Sequence, residues 1–305
     1  MPMPHNRRHM RLLVWLALLL AGWLPAQSPF TFREISPTGL ELSENGKPVF
    51  VYNFGGILRE GNPESSRRST YLHPVYLPDG ALITDDFNPD HPHHRGISWM
   101  WPVVVVDGQT YDLWTVGQIK QRFLRWTARE SGSAWAVLGV ENGWYVGERK
   151  VVKENVEIRV AGAKSGVRRL DFTLRFEAAE APVEIVGTPD QKKGFGGFCF
   201  RFAPRDGGQK KTIIRTDKGV AQKDGVLEVH PWAQVEGTFQ GRPGGGRIED
   251  DPTNPGYPNG WLMRYGFGFL NVSWPGLTPY KLERGRPLTL RYRVTLFAGQ
   301  APQKV

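Results

Sequence analysis

After residue 27 the chain is written in short runs in which every second position is apolar. Leu288, Leu290, Tyr292, Val294 and Leu296 alternate with Thr289, Arg291, Arg293 and Thr295, and Leu170, Phe172, Leu174 and Phe176 repeat the pattern. A period of two puts the apolar side chains on one face of an extended strand and the polar ones on the other. Further strands are predicted at Val49 to Tyr52, Val103 to Val106, Ala134 to Val140, Val156 to Val160, Val183 to Val186 and Thr212 to Thr216. Turn dipeptides punctuate them: Asn45-Gly46, Asp79-Gly80, Asp107-Gly108, Asn142-Gly143 and Asp224-Gly225. The stretch from Gln240 to Gly260, rich in Gly, Pro, Asn and Asp, reads as one long loop. No segment carries three turns of helical amphipathic period. With 36 Gly and 24 Pro spread between such runs, the chain reads as all-β. A large antiparallel β-sandwich fits the length, with a barrel as the alternative. No repeat or low-complexity linker divides it, so residues 27–305 are expected to form one domain.

The first 26 residues follow a different rule. Arg7, Arg8 and Arg11 precede an apolar run from Leu12 to Leu24, and Ala26 follows Pro25, the three parts of a secretory signal. The run is too short for an ordinary membrane span, and no later segment is apolar enough for one. Export to the periplasm or exterior is expected. Removing those three arginines takes the 39 basic residues to 36 against 30 acidic ones. Only short basic pairs such as Lys192-Lys193 and Lys210-Lys211 stand together, so no concentrated face for nucleic acid is present. Cys199 is the only cysteine, which excludes an intramolecular disulfide and a Cys-based zinc or iron–sulfur site.

The mature chain has five histidines, and His73, His91, His93 and His94 fall within 22 residues together with Asp85, Asp86 and Asp90, with Arg95 immediately after. Three readings compete. His91, His93 and Asp86 are the donors a divalent cation such as zinc or iron would take. The same groups suit proton transfer on a sugar, with Arg95 clamping an anion bidentately. Alternatively they form a polar corner of purely structural use. If the piece is strand-like, His91 and His93 share a face that His94 does not, although Pro89 and Pro92 interrupt a regular strand. Two further groups are candidates for ligand binding: Lys193 in Asp190-Gln-Lys-Lys-Gly-Phe-Gly-Gly with Arg201 beyond it, and Asn254, Tyr257 and Trp261 in an acidic, aromatic loop. Carboxylates and amides bind sugar hydroxyls, and aromatic faces stack on pyranose rings. Glu236 and Asp251 are candidate catalytic carboxylates, while Trp99, Trp101 and Trp114 read as either core or platform. A Gly-x-Ser-x-Gly elbow and a dinucleotide fingerprint are both missing, which argues against serine acyl chemistry and against a nucleotide cofactor.

The string Pro89-Asp-His-Pro-His-His-Arg-Gly96, with His73, Asp79-Gly80 and Asp86, resembles the signature of the bacterial "PmoA family" (so-called methane oxygenase PmoA) of unknown function. Lys193 to Gly197 with Arg201, Pro252 to Pro255 with Trp261, and Leu290 to Val294 extend the resemblance over most of residues 45–299. Tyr111-Asp112-Leu113-Trp114 departs from the expected Asp-Phe-Trp. The transferred name implies a multi-span membrane protein, which this sequence does not match. The resemblance implies an exported β-sandwich akin to the galactose-mutarotase supersandwich and a carbohydrate ligand. Taken together, the expectation is a carbohydrate-active enzyme of hydrolase, lyase or epimerase type acting through His73, Asp86, His91, His93, His94 and Arg95. A non-catalytic glycan-binding protein and a His/carboxylate metal-dependent oxygenase are the alternatives.

Overall fold

The computed structural model describes residues 1, 28–208 and 212–302, so the leader-like segment and the Lys210-Lys211 pair lie outside the described residues. Two nine-stranded antiparallel sheets carry the fold. In the first, the order is Phe30–Ser36, Gly39–Glu44, Lys47–Asn53, Tyr71–Val75, Ile97–Met100, Gly197–Arg201, Phe269–Ser273, Gly260–Arg264 and Gly225–Val229. In the second it is Gly219–Val220, Ile213–Thr216, Trp232–Phe239, Arg242–Asp250, Leu288–Ala298, Val167–Ala178, Arg149–Ala161, Trp135–Val146 and Ile119–Ser131. A four-stranded sheet adds Tyr280–Leu282, Val183–Val186, Val103–Val106 and Gln109–Tyr111. Two 3-10 turns are the only helical segments among the described residues. The all-β reading and its large antiparallel sheets therefore hold.

The alternation that predicts the strands also builds the core. Phe172 pairs with Tyr292 and Leu174 with Leu290 across neighbouring strands of the second sheet. Their side chains meet those of the first sheet: the Phe198 ring lies 5.0 Å from Phe172 and 4.6 Å from Tyr292, and Trp99 lies 6.5 Å from Phe172. Trp99 and Trp101 are thus core residues of this interface. By the period of two, Cys199 and Arg201 face the other side of the first sheet, away from that interface.

Two local expectations are corrected. Asn142-Gly143 is not a turn but the middle of the strand Trp135–Val146. Asn142 is drawn inside by a buried carboxyl: its Nδ2 donates to Glu154 Oε1 at 2.8 Å and to Tyr52 Oη at 3.1 Å. Trp144 and Gln121 donate to the other oxygen at 2.6 and 3.0 Å, and burial raises the Glu154 pKa. The second correction concerns Gln240 to Gly260, of which Arg242–Asp250 is a strand. Its glycines serve close packing rather than flexibility. A Cβ on Gly245 would sit 2.5 Å from the Phe297 ring, and one on Gly246 2.9 Å from Phe200. Gln240 and Gly241, with φ of 52° and 78°, make the hairpin turn.

The remaining loop, residues 251–259, is held by an amide and a carboxylate. Asn254 donates to Asp250 Oδ1 at 2.8 Å and to the Arg291 carbonyl at 2.6 Å, and accepts from the Arg291 N–H at 2.7 Å. Asp250 Oδ2 accepts from Asn259 at 2.9 and 3.0 Å. Replacing Asn254 by Ala leaves these groups unpaired under cover, and urea unfolding is expected to show a loss of about 1–3 kcal/mol. A loss below about 0.5 kcal/mol, the scale of an ordinary surface change, would contradict this.

Candidate functional site

The histidine segment is pinned at both ends to the middle of the first sheet. Thr84 Oγ1 accepts from the Val75 N–H and bonds His73 Nδ1, both at 2.9 Å. The Asp85 N–H donates to the Arg201 carbonyl at 3.1 Å, Gly96 N–H to Asp85 at 2.9 Å, and Arg201 N–H to Gly96 at 2.8 Å. Gly96 has φ of 41°, and a Cβ there would lie 1.9 Å from the Leu72 carbonyl, so only glycine fits the junction. Between the pins the chain folds into two tight turns, His91 N–H to Asn88 at 3.1 Å and His94 N–H to His91 at 3.0 Å. Strand-like alternation, which would have turned His94 away, does not apply. His91 and His94 stack at 4.7 Å with planes 9° apart, and His93 stands edge-on to His94 at 4.5 Å.

Asp86 and Arg95 hold the inside of the segment together. Arg95 is fully buried; its Nη1 donates to Asp86 Oδ1 at 3.0 Å, its Nε to the Pro92 carbonyl at 2.7 Å and its Nη2 to the Ser66 carbonyl at 2.6 Å. The guanidinium also covers the Phe87 ring at 3.3 Å. Tyr71 Oη donates to Asp86 Oδ2 at 2.9 Å. Arg95 therefore has no free edge with which to clamp a ligand, and both Asp86 oxygens are occupied. The expected roles of ligand-binding arginine and metal-binding carboxylate give way to a buried ion pair. Among the described residues no three His, Cys, Asp or Glu side chains are arranged to hold a metal ion.

Three of the histidines, His73, His93 and His94, are pushed toward the neutral form. Burial, followed by the nearby Arg68, His91, Arg95 and Arg201 charges, pushes His93 down to about 4. His94, 4% exposed, is depressed well below the usual imidazole value by burial and by the same cationic surroundings. His73 is lowered by burial, which outweighs the opposing Asp86 and Asp85 charges. His91 is the most open of the segment and lies with Nδ1 3.2 Å from Asp90.

Aromatic side chains from three other parts of the chain wall the cluster. Phe269 stacks on His94 at 4.2 Å, Trp114 meets His94 edge-on at 5.6 Å, and Phe267 lies 4.9 Å from His91. Phe195 packs on Trp114 at 4.6 Å. Asp112 sets Trp114 in place by accepting from the N–H groups of Trp114 and Thr115 at 2.7 and 2.9 Å. Arg201, 1% exposed, reaches Asp85 and Asp90 at 3.4 Å each and covers the Phe267 ring at 4.5 Å. Asp85, Asn88, Asp90, Arg201, Arg205 and Phe267 border a cleft of about 250 Å³ at this edge of the cluster.

Of the residues expected to bind substrate, Arg201 alone joins the histidines. Lys193 pairs with Asp190 at 3.2 Å in its own turn, and the glycine-rich loop contributes Phe195 instead. Trp261 is completely buried, with its Nε1 bonded to the His230 carbonyl at 2.7 Å. Asn254 braces the loop in which Tyr257 is exposed. Glu236 pairs with Arg215 at 2.8 Å on the second sheet, and Asp251 accepts from Thr253. Sequence reasoning passed over Arg68, Tyr71, Phe267 and Phe269. The alternation of Phe267 and Phe269 with glycine was the one signal in their favour.

No curated protein sequence matches the chain. Solved structures with a similar course include the heparan sulfate lyase HepC from Pedobacter heparinus (9% identity, TM-score 0.41, covering 87% of this chain and 34% of that one). Others are a galactose mutarotase related enzyme from Lactobacillus acidophilus (9%, 0.39, 90% and 99%) and the GalM/aldose epimerase homologue from C. elegans (6%, 0.38, 90% and 100%). The chain thus spans about a third of the lyase's length. By sequence, residues 39–305 match a single family model, and the chain belongs to that family, a family of unknown function (DUF6807).

Proposed function

We propose that the chain is an exported carbohydrate-active protein, and that the histidine face of the first sheet is where it binds and transforms a sugar. The observation that carries this reading is a packed imidazole cluster beside a monosaccharide-sized cleft: His93, pushed down to about 4 by burial and nearby cations, stands against His91, His94 and Trp114, and Arg201, one of those cations, borders the cleft. A neutral imidazole accepts a proton from a hydroxyl or an activated C–H group. Aromatic faces take the apolar side of a pyranose, and Arg201 with Asp85 and Asp90 supplies the paired donors and acceptors that hydroxyl groups need. The N-terminal basic and apolar segment supports export, and the likeness to the so-called PmoA family stands as a proposal of kinship that supplies no step.

In this reading His93 is the proton acceptor, His91 the exposed partner at the rim, and His94 a buried support whose ring fixes His91 by stacking. Asp86 and Arg95 are positioning residues that shape the turn. The test is an array of plant, bacterial and animal glycans, followed by mass analysis of each bound glycan after incubation. Binding with conversion is expected, and His93→Ala should lower turnover by about 10²–10⁴-fold while binding persists. Binding without conversion in the wild type would make the protein a lectin-like module; no binding to any glycan would sink the carbohydrate reading.

A further inference from the structure

We infer that the ligand of this site carries an oxyanion, a carboxylate or a sulfate, received by the Arg201 guanidinium where it borders the cleft. The inference deepens the carbohydrate reading and rests on it for the molecule that bears the acid, but not for the acid itself.

Four buried arginines surround the histidines, and their partners are unequal. Arg95 has Asp86 to itself. Arg68 donates through Nη2 to the Leu113 and Trp114 carbonyls at 2.9 and 2.6 Å, and Arg205 to Thr212 and to the Ala203 carbonyl at 2.8 Å each; neither forms an ion pair among the described residues. Arg201 shares Asp85 and Asp90 at 3.4 Å, long for charge-assisted bonds. Among the described residues Arg68 Nε and Arg201 Nη1 have no hydrogen-bond partner, nor has His94 Nδ1, although all three side chains are more than nine-tenths buried. Buried donors without partners are uncommon in folded proteins and cluster where a ligand or ion completes the site. A neutral hydroxyl would satisfy the hydrogen bonds but leave the excess positive charge in place; an oxyanion offsets both.

The electrostatics of the histidines agree with that placement. Every charged group named above as depressing His93 is cationic, and Arg68 and Arg201 also act on His94. His73, by contrast, feels the Asp86 and Asp85 carboxylates ahead of Arg95 and Arg59, so the unopposed positive charge lies on the side of the cluster that holds His93 and His94. Asp85 and Asp90 border the cleft beside Arg201. An incoming oxyanion competes with them for the guanidinium, which favours a ligand that has hydroxyl groups for the displaced carboxylates to accept from.

The experiment is calorimetric binding of uronic-acid oligosaccharides against their methyl esters, and of sulfated oligosaccharides against their desulfated forms, with inorganic sulfate as the sugar-free probe. One acid series is expected to bind at least tenfold more tightly than its neutral counterpart, with that preference lost in Arg201→Gln. Because Arg201→Gln can fail to fold, the wild type is also followed by histidine NMR: a bound oxyanion neutralises the surrounding cations and should raise the His93 titration midpoint. Equal binding of acids and neutral forms would overturn the inference and leave the carbohydrate reading intact. Inorganic sulfate raising the His93 midpoint while no glycan binds would support the oxyanion site and defeat the carbohydrate reading. An unmoved midpoint with every probe would overturn the inference.

Discussion

Replacing Asp86 by Ala is expected to lower the unfolding free energy by about 3–5 kcal/mol, the scale for removing one partner of a buried ion pair. The loss comes from what remains: the fully buried Arg95 guanidinium keeps its carbonyl partners at Pro92 and Ser66 but loses its only carboxylate, and Tyr71 Oη loses its acceptor. The measurement is urea unfolding of the single variant beside Asp86→Ala, Arg95→Met. Since an apolar side chain of similar volume can replace a buried charge at little cost, the double variant should recover most of the loss. A single variant within about 1 kcal/mol of wild type would mean that Arg95 is solvated or re-partnered and that the pair does not hold the histidine turn.

Acid should destabilise the protein well before its carboxylates titrate. His93 falls to about 4 in the folded protein against about 6.5 unfolded, and His94 and His73 shift in the same direction. As pH drops through about 6.5 the unfolded chain takes up protons that the folded one refuses, so stability declines until the folded value near 4 is passed. His93 alone accounts for about 3 kcal/mol of that loss, from about 1.36 kcal/mol for each unit. Glu154 and Asp250 work in the opposite sense, because burial raises them and their stabilising effect fades as pH rises. The contribution of His93 is therefore read as a difference. Urea midpoints of wild type and His93→Gln at pH 7 and 4.5 should show a smaller drop in the variant. Equal drops would place His93 in contact with water and remove the neutral base from the proposed chemistry.

The strands were legible wherever one face is buried and the other wet. Val103–Val106 and Val183–Val186 appear with their predicted boundaries, each paired with the other over its whole length. The failures share a cause, namely that a local signal had a distant reason. Asn142-Gly143 reads as a turn, but Glu154 from the neighbouring strand draws Asn142 into the core. Gly245 and Gly246 read as loop, but aromatic rings from other strands need the space. Trp261 reads as a sugar platform, yet the sheet encloses it.

The composition of the candidate site was likewise written in one stretch, since imidazoles, carboxylates and guanidinium between His73 and Arg95 are local neighbours. Their division of labour was not. Nothing in the order Asp85-Asp86 tells which carboxylate meets a buried arginine and which faces a cleft, because Arg95 lies nine residues on and Arg201 more than a hundred. By itself the sequence determined the all-β class, the strands whose apolar period is local, and the segment that holds the candidate site. Tertiary structure alone decided that Arg95 is a brace, that Arg68, Phe267 and Phe269 surround the histidines, and that His73, His93 and His94 are pushed toward the neutral form. Burial and long-range charge depend on which strands become neighbours, and that is a property of the sheet order rather than of any single run of residues.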